Sequence, residues 1–131
     1  MVMRDCLIAE SEVEMTGSVA AIEAGRLTLQ RCTLVRNNSS PRIGAPSAVT
    51  VGSESWVVVE GSILWDNNGS QIRRMSGNDT AHVQVSNSVI AGGHLGEGVL
   101  DIDPLFANPS DADWRLSPAS PPEVRSLGAL R

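Results

Sequence analysis

Leu27-Thr-Leu-Gln-Arg-Cys-Thr-Leu-Val-Arg-Asn-Asn38 alternates apolar with polar residues, turns small at Cys32, and runs apolar again before two asparagines. Such alternation is the period-two pattern of a half-buried strand. The layout recurs without internal gaps as Met1-Val-Met-Arg-Asp-Cys-Leu-Ile-Ala-Glu-Ser11, as Val57-Val-Val-Glu-Gly-Ser-Ile-Leu-Trp-Asp-Asn-Asn68, and as Val83-Gln-Val-Ser-Asn-Ser-Val-Ile-Ala-Gly-Gly93. The small residue falls at Cys6, Cys32, Ser62 and Ser88, at intervals of 26, 30 and 26 residues. A period of this size predicts a solenoid whose turns stack about 4.8 Å apart through parallel strand pairing.

Aligned in that register, the columns are chemically coherent. Met1, Leu27, Val57 and Val83 form one apolar column, Met3, Leu29, Val59 and Val85 a second, and Ile8, Leu34, Leu64 and Ile90 a third. Arg4, Gln30, Glu60 and Ser86 form a polar column expected to face water. Opposite charges meet where adjacent turns stack, Asp5 with Arg31 and Glu10 with Arg36 and Asp66.

Outward from the repeat, Ser18-Val-Ala-Ala-Ile-Glu-Ala-Gly25 and Ala48-Val-Thr-Val-Gly52 read as matching strands closed by glycine. The longer interval comes from the loop Ser39-Ser-Pro-Arg-Ile-Gly-Ala-Pro-Ser47, whose prolines cannot sit in a central strand. Asn37-Asn38 and Asn67-Asn68 occupy equivalent corners, where asparagine tolerates left-handed backbone and can stack amide on amide.

These features resemble the right-handed parallel β-helix repeat proteins of the pectin lyase-like superfamily. The more specific likeness lies in Asp101-Ile-Asp-Pro-Leu-Phe-Ala-Asn-Pro109, Asp113-Trp-Arg-Leu-Ser-Pro-Ala-Ser-Pro121 and Leu127-Gly-Ala-Leu130, which is similar to the closing segment of many such proteins. The resemblance implies one all-β domain over residues 1–131, with about four to five coils to about residue 100 and an irregular cap over about 101–131. Phe106, Trp114 and Leu116 are expected to cover the open end of the last coil. No comparable cover precedes Met1, so either a longer β-helix continues there or a second copy buries Met1, Met3 and Ile8 in a two-fold dimer.

Composition narrows the function. Every basic residue is arginine and the net charge is −5. Schiff-base chemistry and a lysine phosphate clamp are thereby excluded, and no phosphate-tracking surface for nucleic acid is expected. No apolar run is long enough for a transmembrane helix, and Met1-Val-Met-Arg-Asp-Cys-Leu-Ile8 lacks the layout of a signal peptide. A soluble chain, cytoplasmic as written, is the expectation, whereas proteins of the resembled kind are often exported. No cofactor or metal motif is present, and Asp66, Asp79 and Glu54 are too scattered for a calcium cluster.

Cys6 and Cys32 would stand side by side in adjacent strands, which suits reduced thiols better than a disulfide. His82 and His94 have no nucleophile to activate and read as surface residues. Asp101 and Asp103 read as turn formers. Trp56 and Trp65 could give a sugar-stacking surface, and Arg73 with Arg74 could engage a carboxylated sugar, although an arginine pair at a corner is the plainer reading. Two functions remain. One is a non-catalytic module binding a polysaccharide or a protein partner through Trp65, Asp66, Arg73, Arg74 and Asp79. The other is a small polysaccharide lyase or glycoside hydrolase with Asp66, Asp79, Arg73 and Arg74 in one groove.

Overall fold

The structure, a computed structural model, describes residues 1–13, 18–22, 25–39, 47–74 and 80–130. Its strands in chain order are β1 (Val2–Arg4), β2 (Leu7–Ala9), β3 (Glu12–Val13), β4 (Ser18–Ile22), β5 (Arg26–Gln30), β6 (Thr33–Val35), β7 (Asn38–Ser39), β8 (Ser47–Val51), β9 (Trp56–Glu60), β10 (Ile63–Trp65), β11 (Ser70–Arg74), β12 (His82–Ser86), β13 (Val89–Ile90), β14 (Phe106–Asn108) and β15 (Asp113–Leu116). Among the described residues the only helical element is a 3-10 turn, Pro109–Asp111, and no helix is long and apolar enough to cross a membrane. The protein is all-β. Three parallel sheets run β1-β5-β9-β12, β13-β10-β6-β2 and β11-β8-β4; β3 and β7 form a small parallel pair, and β14 with β15 an antiparallel one.

The pairing follows the register read from the repeat. Met3 lies opposite Leu29, Leu29 opposite Val59, and Val85 opposite Val59. Ile8, Leu34, Leu64 and Ile90 form the matching column of the second sheet. Leu29, Leu34, Val59 and Leu64 are fully buried and centre the main apolar cluster.

The small column has a hydrogen-bonding role beyond its size. The backbone N–H of Cys32 donates to Ser62 Oγ (3.0 Å), and that of Ser62 to Ser88 Oγ (3.1 Å). Each hydroxyl then donates to the carbonyl two residues back, Ser62 to Glu60 (3.0 Å) and Ser88 to Ser86 (2.8 Å). A buried corner N–H needs an acceptor, and a short hydroxyl or thiol from the next repeat supplies it without bulk. Cys6 and Cys32 are free thiols.

The asparagine ladder is present. Asn67 Oδ1 accepts both the backbone N–H of Asn37 (3.0 Å) and its side-chain amide (2.8 Å), and Asn37 Oδ1 accepts the N–H of Ser11 (3.0 Å). The left-handed backbone lies elsewhere than expected, one residue earlier, on Glu10, Arg36 and Asp66, whose φ values are 56°, 50° and 54°. A second left-handed corner falls on Asp5, Arg31, Gly61 and Asn87. The asparagines are thus free to point inward as hydrogen-bonding rungs, while the charged residues before them absorb the turn. Their charges also pair, Arg31 with Asp5 (2.7 Å) and Arg36 with Asp66 (3.4 Å).

Two expectations are corrected. Arg73 and Arg74 do not sit at a corner: they end β11, opposite Thr50 and Val51 of β8. Polar Ser70-Gln-Ile-Arg-Arg74 forms a strand because β8 beside it, buried at every position, supplies the partner that its own composition does not demand. Phe106, Trp114 and Leu116 do not close the end of the last repeat. The C-terminal segment runs back along the flank of the second sheet instead, where Val124 and Leu127 cluster with Ile63 and Val89, and Phe106 and Leu116 pack against them. The Gly128 N–H donates to the Gly61 carbonyl (2.8 Å) and that of Ala129 to Thr33 Oγ1 (2.9 Å). The last edge is covered by an earlier stretch: Leu100 bridges to Val89 in parallel, and Gly96 sits so close to the Val85 carbonyl that a Cβ would collide with it. The proline loop beyond Ser39 falls at 40–46, outside the described residues.

Candidate functional site

A cleft of about 230 Å³ opens where the end of β10 meets the C-terminal hairpin. Its walls are Arg36, Trp65, Asp66, Asp103, Leu105, Phe106 and Pro109. Trp65 closes β10 opposite Val35 and is half-buried, so part of its indole remains accessible. Asp66 follows in the left-handed corner, which turns its carboxylate outward.

Arg36 holds the cleft together. Its Nε donates to Asp66 Oδ2 (3.4 Å), its Nη1 donates to the Pro109 carbonyl (3.1 Å), and Nη1 lies 3.9 Å from Glu10 Oε1. The guanidinium also stands 4.9 Å from the ring centroid of buried Trp114, which meets Phe106 edge-on at 5.4 Å. A guanidinium over an indole is an attractive contact, modest here because the Arg36 side chain is itself exposed. Arg36 therefore ties the hairpin to the sheet and sets one wall of the cleft. Across it, Asp103 Oδ1 accepts the Leu105 N–H (2.9 Å), the turn expected of that residue.

Of the residues singled out from the sequence, Trp65 and Asp66 share this cleft; Arg73 and Arg74 do not line it and belong to the third sheet. Asp79 lies outside the described residues. Trp56 stands apart too, at the start of β9, with His82 stacked on it (4.1 Å, 16°) and Arg26 5.6 Å from its centroid. Trp56 is exposed, with one ring face stacked on His82, and it shares no cleft with Trp65. Arg36, Asp103 and Phe106 were not recognised as site residues from sequence. The signals available for them, the charge column through Arg36 and the C-terminal motif that holds Asp103 and Phe106, pointed to the fold. Among the described residues no group of three or more His, Cys, Asp or Glu is placed to hold a metal ion.

The cleft presents apolar ring surface beside two carboxylates and one guanidinium, a set that hydrogen-bonds hydroxyl groups and packs against a flat apolar face. Its acidic excess opposes an anionic ligand. Fold and site together describe an all-β protein of parallel sheets with an aromatic and acidic cleft on its flank. Comparison with family models, curated proteins and solved structures gives no match.

Proposed function

We propose that the chain is a right-handed parallel β-helix module of the pectin lyase-like type, and that it binds a neutral carbohydrate at Trp65, Asp66, Arg36 and Asp103 without transforming it. The strand register at the predicted spacing and the C-terminal motif support the fold reading. One observation carries the ligand: a half-buried indole shares an open cleft with hydrogen-bonding groups of both signs and an acidic excess. A pyranose ring offers the matching apolar face and hydroxyl rim. The expected result is binding of neutral oligosaccharides on a glycan array, reduced at least tenfold by Trp65→Ala and by Asp66→Asn. Equal binding by Trp65→Ala, or preference for uronates, would refute the assignment.

Glycoside hydrolysis stands as the second reading because two carboxylates, Asp66 and Asp103, face one cleft. It requires release of reducing ends from the bound oligosaccharide, abolished by Asp103→Asn. Binding with no release leaves the module reading alone.

The exposed edge of β1 and β2 supports a two-fold dimer. Met1 and Val2 are exposed by 78% and 55%, while Met3 and Ile8 reach the core from that open side. Leu100 and Gly96 cover the opposite end of the first two sheets and oppose head-to-tail stacking there, which favours a self-complementary contact. Sedimentation at micromolar concentration is expected to give a dimer, and Met3→Glu a monomer. A monomer for the unaltered chain removes this contact.

A further inference from the structure

The third sheet ends differently from its neighbours. In the first two sheets the last strand is crossed by residues 95–100, with the Asn87 N–H donating to the Glu97 carbonyl (2.9 Å) and Leu100 bridging to Val89. In the third sheet, among the described residues, β11 pairs with β8 on one side and with no strand on the other. Beside its start lies a groove of about 320 Å³, walled by Gly69, Gln71 and Ile72 on one side and by Gly92, Gly93 and His94 on the other.

The repeat says what is missing there. Gly93 occupies the position that Asn37 and Asn67 hold in the two preceding repeats, so the ladder stops for want of an amide side chain. A Cβ at Gly92 or Gly93 would meet nothing within 4 Å, so this wall is open to an approaching backbone. A fourth strand would have followed, parallel to β11, had the pattern continued.

Charge identifies the occupant. In the first two sheets the corner arginines find a carboxylate in an adjacent repeat, Arg31 on Asp5 and Arg36 on Asp66. Arg73 faces Thr50 on its paired side, and its Nε is buried with no hydrogen-bond partner. Arginines on an edge strand commonly serve to repel other strands. Here the side chain is only partly exposed, and its Nε is shielded from water yet unsatisfied, a condition that an incoming acceptor relieves. We propose that the free edge of β11 binds an extended acidic segment of a partner protein as a fourth parallel strand, with a carboxylate opposite Arg73 and the backbone seated along the groove toward Gly69. Main-chain hydrogen bonds to the edge supply affinity, and the carboxylate supplies selectivity. Exposed Arg74 adds to the local attraction against the chain's overall negative charge.

The test uses the full chain, isotope-labelled, and an acetylated peptide of about seven residues alternating valine and glutamate, against its lysine counterpart. Saturable shifts are expected at Ser70–Arg74 and Gly92–His94, with slowed amide exchange along β11. The lysine peptide should bind at least tenfold more weakly. Arg73→Gln should weaken the glutamate peptide about tenfold while leaving the melting temperature of the free protein within a few degrees. Alternate N-methylation of the peptide backbone should abolish binding, a control independent of whether Arg73→Gln folds. Equal binding of the two peptides, shifts confined to β1 and β2, no saturation at millimolar peptide, or self-association through β11 would each overturn the proposal.

Discussion

Replacing Asn67 by alanine removes the central rung of the ladder. Its Oδ1 accepts the Asn37 backbone N–H (3.0 Å) and side-chain amide (2.8 Å), and its Nδ2 donates to the Leu34 carbonyl (2.8 Å) and to Gln71 Oε1 (2.7 Å). Asn37, Asn67 and Gln71 are all buried, so water does not replace the lost partner. The Asn37 N–H and the Gln71 carbonyl oxygen are left short of a partner at about 1–3 kcal/mol each, and the vacated space adds to this. The expected loss is about 3–5 kcal/mol in guanidinium unfolding, a large share of the roughly 5–15 kcal/mol available to a domain of this kind. Asn37→Ala should cost less, because its upper partners Ser11 and Ile8 lie near the exposed first repeat. Amide exchange at Asn37 should quicken in Asn67→Ala well before global unfolding. A loss below about 1 kcal/mol, or unchanged exchange at Asn37, would show that the stacking register is wrong.

Gly128→Ala tests the docking of the C-terminal segment. With φ at +78°, and a Cβ at 2.5 Å from Thr33 Oγ1 and 2.9 Å from Ile63 Cδ1, it should cost about 2–4 kcal/mol; a change under about 0.5 kcal/mol means the segment does not pack there. Asp113 bonds to Arg115, which holds its carboxyl at about 2 instead of 3.8. Because the folded value is depressed, the contact's contribution is complete above the ordinary value and lost as pH falls through about 2. A carboxyl titration by carbon NMR should show that midpoint, and Arg115→Gln should return it toward 3.8.

The register of the first two sheets was legible because it is written in columns. Leu29, Val59 and Val85 can stack only if the residues between them alternate outward, and a slip of one would bury Gln30 and Glu60. The third sheet was half legible, since Val49 and Val51 announce β8 while Gln71, Arg73 and Arg74 of β11 carry no apolar alternation. The left-handed corners were hidden because charged residues occupy them, with glycine only at Gly61 and Gly92 among these positions. The path of the C-terminal segment was illegible for a different reason. It depends on contacts such as Arg36 over Trp114 and Gly128 on Gly61, which join stretches far apart in sequence and follow no period. The cleft shares that origin, so only its repeat-borne half, Trp65 and Asp66, could be picked out beforehand.

Where the pattern holds, each polar group is answered by its copy in the next repeat: Asn37 by Asn67, Cys32 by Ser62, Asp5 by Arg31. Little is left over to recognise anything else. Binding capacity collects where the copy fails. At Trp65 and Asp66 the flank is met by a hairpin that does not repeat, and an aromatic cleft results. At Gly92 and Gly93 the ladder loses its amide and the chain departs across the other two sheets, which leaves β11, among the described residues, with no strand on one edge and the Arg73 Nε without an acceptor. Adding an asparagine at position 93 should therefore do two opposed things. It extends the ladder toward Asn67, and it puts a non-glycine side chain at a φ of 83° while narrowing the groove beside β11. Peptide affinity at that edge should fall even where stability changes little, and that separation of binding from stability is what a site made by an interrupted repeat requires.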